Sequence, residues 1–300
     1  MSLFEILVHP TSKNPLIVDG SGQGIGPQDA ENFRIEILKS IPVVLPIGQK
    51  QTTMSSPIHQ TENTVFDYSH HYQKDAESFN YFEDFESQVD QTEKDRLNQT
   101  ILHAIPKEAK VVLDVGCGNG WLSKNLVSDT VQVISMDISS VNPVKALADL
   151  PHKNHFGLIA DVFHLPLAPE SVDCIVASEI IEHVGHPGQF IEKLLFALKK
   201  GGRLIITTPY DEKIALHLCV HCNHLTPAHG HLHSFNEVSI KKYLPRGINH
   251  KIHLFSNKYG SKLRIYALTR KWSYRIWRKM DQWAHRILPS PMRMMVTIQK

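Results

Sequence analysis

The sequence predicts an α/β fold: a mostly parallel sheet covered by helices on both faces, with a small β-rich unit in front of it. From Lys110 onward, short apolar runs alternate with segments of helical spacing. Regular alternation of that kind buries a parallel sheet between two helix layers. Before residue 50 the pattern differs: short strand-like runs flank a turn-rich GSGQGIGPQD, without helical periodicity.

In the first unit, residues 1–50, LFEILVHP reads as a strand ended by Pro10, and FRIEILKSIPVVLP supplies more strand, closed by prolines. Residues 51–65 fall in the polar, aperiodic QKQTTMSSPIHQTENT and read as a linker. The larger domain, 66–300, opens with helical spacing from Phe66 to His103. VVLDVG is its first strand, and a glycine turn leads into the helix WLSKNLVS. VQVISMD, FGLIAD and VDCIVAS are the next strands, with VNPVKALADL a helix between the first two of them. PGQFIEKLLFALKK is a helix that stops at Gly201-Gly202, and GRLIITTP is a strand ended by Pro209. A Cys/His-rich loop, 214–234, precedes the helix SFNEVSIKKYL and the strand HKIHLFS. An amphipathic helix at about 270–288 and a last strand, RMMVTIQK, close the chain. Right-handed crossovers put the ligand crevice of such a sheet at the carboxyl ends of its strands.

Composition narrows the function. The net charge of +2 with neutral histidines gives no general electrostatic grip on nucleic acid. MSLFEILVHP lacks the basic flank and long apolar run of a secretory signal, and no apolar stretch is long enough to cross a bilayer. The four cysteines are too few and too scattered for a disulfide framework, so a reducing cytoplasm is the expected compartment. Cys117 reads as a filler of the glycine turn and Cys174 as core.

VVLDVGCGNG sets Asp114 near a strand end, with glycines at Gly116, Gly118 and Gly120. Glycines there permit positive φ and let a ligand approach the backbone. A dinucleotide fingerprint, G-x-G-x-x-G, counted from Gly116 needs a further glycine where Trp121 stands. The dinucleotide reading fails.

VLDVGCGNG, the acid ending VISMD, ADVFHLPLAPESVDCIVASEIIEHV and GRLIITTP together resemble the class I methyltransferases, in particular the branch acting on small molecules and quinone or lipid precursors. The resemblance covers Lys110 to Pro209 most strongly. It implies a Rossmann-like, seven-stranded, mostly parallel sheet and S-adenosylmethionine as cofactor. It also implies that Asp114, Gly116 and Gly118 line the methionine end of that cofactor. Asp137, followed by Ile138, would accept both ribose hydroxyls, as a carboxylate can. Asp161 and Val162 would meet the adenine ring, and Ser178 and Glu179 would lie next to the methyl group. Each acid also has a plainer reading, as a helix cap or a solvated group.

Methyl transfer from a sulfonium is an in-line displacement that mainly needs positioning in a dry pocket. A base is required only for a weak nucleophile such as a hydroxyl. His183, then Tyr210 and Asp211, are the candidate catalytic residues; Glu182 beside His183 also fits a plain helix start.

In HLCVHCNHLTPAHGHLHSF, Cys219 and Cys222 have zinc-ligand spacing, and histidines downstream, though irregularly spaced, can complete a structural zinc site shaping a lid. The resemblance extends to methyltransferases with a C-x-x-C knuckle followed by a glycine-histidine pair, which implies His231, after Gly230, as the further ligand. The alternative is a polar loop carrying a reduced thiol pair. The N-terminal unit resembles small zinc-ribbon-like domains that partner or are fused to methyltransferases. It has no cysteine before Cys117, so a packing or recognition role without metal is expected. In KWSYRIWRKMDQWAHRIL, Trp272, Ile276, Met280, Trp283 and Ile287 fall on one helical face, with Arg275, Arg278, Lys279 and Arg286 around it. Such a helix either packs on the sheet or lies on an anionic membrane surface as a peripheral contact.

The function expected is methyl transfer to a small-molecule or lipid-linked acceptor. The alternatives are action on RNA or protein, or a cofactor-binding but catalytically silent partner; the intact glycines and acids count against the last.

Overall fold

The computed structural model describes residues 3–18, 25–26, 32–47, 67–83, 87–220 and 223–300. The expected linker, 51–65, lies outside the described residues.

The N-terminal part carries a short antiparallel pair, β1 (Ile17–Val18) and β2 (Ile25–Gly26), then the hairpin β3 (Phe33–Leu38) and β4 (Ile41–Pro46). Helices α1 (Tyr68–Ser78) and α2 (Gln88–Ala104) follow, where the sequence shows one long helical stretch. The alternating part is β5 (Val111–Val115), α3 (Trp121–Leu126), β6 (Gln132–Asp137), α4 (Val141–Asp149), β7 (His155–Ala160), β8 (Val172–Ser178), α5 (Pro187–Ala197) and β9 (Leu198–Pro209). Beyond it come the hairpin β10 (Leu216–Leu218) and β11 (Leu225–Pro227), α6 (Glu237–Lys241) and β12 (Asn249–Asn257). Three helices, α7 (Lys258–Lys262), α8 (Ile265–Leu268) and α9 (Tyr274–Ile287), lead to the last strand, β13 (Pro291–Gln299).

The seven expected strands, β5 to β9 with β12 and β13, form a Rossmann-like sheet, and the N-terminal hairpin extends it to nine in the order β12-β13-β9-β8-β5-β6-β7-β4-β3. Strands β4, β7, β6, β5, β8 and β9 are parallel neighbours; β13 runs antiparallel between β9 and β12. Every residue of β5 is buried, as a strand covered on both faces requires. The strand order reverses between β5 and β8, so their carboxyl ends open a crevice at the switch point.

Among the described residues, the N-terminal unit packs into the core of the larger sheet. Strand β4 pairs with β7 at Val43↔Ile159 and Val44↔Ala160, and Leu3, Leu7, Leu16 and Phe33 join the same apolar cluster as Leu113, Ile134 and Leu158. LFEILVHP is not a strand. Leu3–Glu5 is a 3₁₀ turn, and Leu3, Ile6 and Leu7 are buried at helical spacing. Helix α5 ends at Ala197, before the glycine pair, because Leu198 already pairs with Val172 of β8.

Helix α9 is anchored through Trp277 and Tyr274, which share a core with Phe255 of β12. The buried Asp281 carboxylate accepts from Ser256 N and Asn257 N, both at 3.1 Å, and from the Tyr266 hydroxyl at 2.9 Å. Arg96 of α2 lies over the Trp277 ring and donates to the Thr269 and Trp272 carbonyls at 2.7 and 3.0 Å. These contacts use a different face of α9 from the stripe read from the sequence. Ile276, Trp283 and Ile287 remain exposed, and Met280 alone of that stripe's helical members packs against the core.

Candidate active site

The turn after β5 is set by backbone geometry. Gly116 N and Cys117 N both donate to Met136 O of β6, at 2.9 and 3.0 Å. Gly116 has φ +70°, and a Cβ there would lie 2.2 Å from Ile180 Cδ1. Gly118 has φ +49° with no atom within 4 Å of a Cβ position, so its backbone faces open space in the cavity. Both positions lie in the left-handed region that favours glycine.

That cavity, of about 1590 Å³, runs across the carboxyl ends of the central strands. Lys94 of α2 lines it; Asp114 does not, but lies buried on β5 next to the lining residue Val115, with Oδ2 lacking any hydrogen-bond partner. Burial pushes the Asp114 carboxyl up to about 7, with Asp137 adding to the shift and Lys94 opposing it. Burial also depresses the Lys94 ammonium.

Asp137 ends β6 and lines the cavity with Ile138. Its Oδ1 accepts from Ser139 N at 2.9 Å, and its Oδ2 from Asn142 Nδ2 at 3.0 Å. Burial raises its pKa while these bonds hold it down. Asp161 and Val162 lie at the end of β7. Asp161 caps the 3₁₀ turn Val162–His164 through Phe163 N at 3.0 Å and also receives His164 Nδ1 at 2.6 Å and the Tyr68 hydroxyl of α1. Helix α1 thereby closes one wall; Gln73 on it accepts from Ser140 N at 2.9 Å, where α4 begins.

At the end of β8, Ser178 and Glu179 line the same cavity. Ser178 Oγ is 3.1 Å from Thr207 Oγ1, and Glu179 pairs with Arg293 of β13. Glu182 is buried, and desolvation pushes its carboxyl up to about 8. His183 lies mostly buried beside Tyr72 and His231, with ring centroids at 5.9 and 4.8 Å. Its Nδ1 is 3.3 Å from Gly230 O, which assigns the Nδ1–H tautomer and leaves Nε2 an acceptor. Burial, then the neighbouring His231, lowers its pKa to about 4.

The other candidates are already engaged. Tyr210 lines the cavity but donates its hydroxyl to Glu237 at 2.6 Å, and this bond leads the rise of its pKa to about 12. Asp211 is exposed, lies off the cavity lining and accepts from Asn236 Nδ2 at 3.2 Å.

The zinc set Cys219, Cys222 and His231 is not assembled among the described residues. Cys222 lies outside them. Cys219 sits at the tip of the exposed β10–β11 hairpin, where it accepts from Asn223 N and donates to His224 O, both at 2.9 Å. His231 instead binds Glu212 at 2.6 Å and joins Glu182 and His183, whose ligand atoms and its own lie within 4.8 Å of one another. Cys117 and Cys174 are buried, and burial pushes both thiols up, so neither is a thiolate nucleophile.

Sequence reasoning missed Lys94, Arg293 and the face of α1 that carries Tyr68 and Tyr72. Tyr68 and Tyr72 are four apart, a helical spacing visible in YSHHY; Arg293 is one residue of an ordinary strand and gives no signal.

The methyltransferase-domain family matches residues 85–249, more than half of the chain. The chain belongs to this family. It is 32% identical to a ubiquinone biosynthesis O-methyltransferase of Caulobacter vibrioides over 111 residues, 34% of this chain and 42% of that protein. It is 33% identical to the chloroplastic tocopherol O-methyltransferase of Arabidopsis thaliana over 108 residues, 34% of this chain and 31% of that protein. The matches thus span less than half the length of these curated relatives. A Pyrococcus horikoshii protein of known structure shares the fold, with a TM-score of 0.50 at 14% identity over 75% of this chain and 98% of its own. Among the described residues no helix is long and apolar enough to cross a membrane.

Proposed function

We propose that this methyltransferase-family chain transfers the methyl group of S-adenosylmethionine to a small-molecule or lipid-linked acceptor by in-line displacement. The observation that carries the reading is one cavity lined by the open backbone of Gly118 and the strand-end acid Asp137, with the unpartnered Asp114 Oδ2 buried on the strand that leads into that turn. These fit the cofactor. Gly118 leaves room against its backbone, Asp114 offers a buried acceptor for an ammonium, and Asp137 suits a diol. Gly116 keeps the turn close, Ile138 and Val162 give the purine apolar walls, and Asp161 offers its remaining lone pairs to an exocyclic amine. Ser178 and Glu179 border the reacting end. The cofactor supplies an electrophilic methyl carbon on a sulfonium; the chain's work is alignment and water exclusion.

The acceptor compartment is walled by Tyr72, His183 and His231, which suits an aromatic ring bearing a hydroxyl. The relatives named for ubiquinone biosynthesis and tocopherol are O-methyltransferases, which supports the same class. His183, neutral near pH 7 and with Nε2 as acceptor, takes the hydroxyl proton as oxygen attacks. The engagement of Tyr210 with Glu237 and the position of Asp211 leave His183 as the first proton acceptor to test. The N-terminal unit serves as a packing extension of the sheet edge.

The test is turnover, read as S-adenosylhomocysteine released with lipophilic catechols and hydroquinones, for the native chain and for His183→Gln. Acceptor-dependent release that falls about a hundredfold in the variant supports the reading, within the range of general-base catalysis. Unchanged turnover in the variant removes His183 from the mechanism. Cofactor binding without turnover on any acceptor points to the silent partner.

A further inference from the structure

Residues 263–288 hold seven lysines and arginines against one acid, Asp281, and that acid is 3% exposed. Six of the seven cations are exposed, among them Arg270, Lys271, Arg275, Lys279 and Arg286. The same segment leaves large apolar side chains in the open: Leu268 is 81% exposed, Trp283 63% and Ile276 56%, joined by Leu263, Trp272 and Ile287. On α9 the core side is taken by Tyr274, Trp277 and Asp281. Ile276, Trp283 and Ile287, seven and four residues apart, make a separate stripe, and Arg275, Lys279 and Arg286 run alongside it.

We propose that this face docks peripherally on an anionic lipid surface. Each component has a place there: cations meet lipid phosphates, tryptophans occupy the headgroup boundary, and leucine and isoleucine enter the acyl region. A nucleic acid would use the cations and leave the aliphatic stripe in water. Protein interfaces are depleted in lysine at their centres, where this stripe has Lys279 and Lys271 as close neighbours. Helix α7, whose Lys258, Ser261 and Lys262 line the cavity, leads through α8 directly into the face. An acceptor dissolved in the bilayer therefore meets the cavity from this side. That last step rests on the proposed methyl transfer; the docking does not.

The test is sedimentation of the full chain with vesicles of phosphatidylcholine alone or with about 30 mol% phosphatidylglycerol, alongside tryptophan emission and calorimetric titration with S-adenosylmethionine. The chain is expected to partition at least about tenfold more strongly to the anionic vesicles, with a blue shift in emission. A triple charge reversal, Arg275→Glu, Lys279→Glu and Arg286→Glu, should cost about tenfold or more of that partition and leave cofactor binding unchanged. Should the triple variant fail to fold, Trp272→Ser with Trp283→Ser serves instead and should abolish the blue shift. No partition, equal partition to neutral vesicles, unchanged partition of a folded variant, or self-association through this face without lipid binding would each overturn the docking. Lipid binding without cofactor binding would uphold the docking and sink the methyltransferase activity.

Discussion

The Tyr68 hydroxyl donates to the buried carboxylate of Asp161, linking the first helix of the larger domain to the end of the third strand of its alternating part, β7. With His164 Nδ1 and Phe163 N on the same carboxylate, Asp161 is both a cap and a latch for α1. Replacing Tyr68 by Phe leaves the ring's packing against Phe163 and removes the latch. The expected loss is about 1.5–3 kcal/mol of local stability, the range for a hydrogen bond to a charged group. It should appear as faster proteolysis or hydrogen exchange within residues 67–83, with β5 and β6 unaffected. Equal protection in the variant would remove the latch.

Asp114 gives cofactor binding a pH dependence. Its carboxyl, raised to about 7 by burial, is largely protonated at pH 6, and a bound ammonium requires the anion. Binding near pH 6 should therefore release a proton, and affinity should rise as pH climbs through 7 and then level. Titrations in two buffers of different ionisation enthalpy read this directly, and the dependence should vanish in Asp114→Asn. A flat profile in the native chain would contradict the role given to Asp114.

Gly116 and Gly118 separate folding from binding. Gly118→Ala adds a methyl with no atom within 4 Å. The positive φ costs about 1–2 kcal/mol, so the chain should fold while cofactor affinity falls. In Gly116→Ala the Cβ would sit 2.2 Å from Ile180 Cδ1, so the melting temperature itself should drop further. Equal effects of the two on melting temperature would contradict the geometry.

Glu182 predicts a pH-dependent stability. Its folded pKa, about 8, lies above the ordinary 4.5, so its contribution is whole below 4.5 and is lost as pH rises through 8. Glu182→Gln keeps the shape without the ionisation. The variant should gain on the native chain in denaturant midpoint between pH 5 and pH 8. A constant difference across that range would mean that the carboxyl ionises freely in the folded state.

The strands from β5 to β9 were legible because each is a short apolar run bounded by turns, and Asp114, Asp137 and Asp161 stood out as acids at their ends. The joining of the N-terminal hairpin was not, since Val43 meets Ile159 across a separation no local pattern reports. Cys219 and Cys222 suggested a metal by their spacing, and the family resemblance suggested His231 as their partner; packing turns His231 toward Glu212 and His183. The amphipathic stripe of the last helix was legible, but which of its faces meets the core depends on Trp277 and Asp281 finding β12.

Calorimetric titration of the full chain with S-adenosylmethionine, beside Asp137→Ala, tests the central claim most directly. One site per chain is expected, with affinity at least about tenfold weaker in a variant of unchanged melting temperature, as loss of charged hydrogen bonds implies. No binding by the folded native chain, or equal binding by the variant, would contradict the assignment of this cavity to the cofactor.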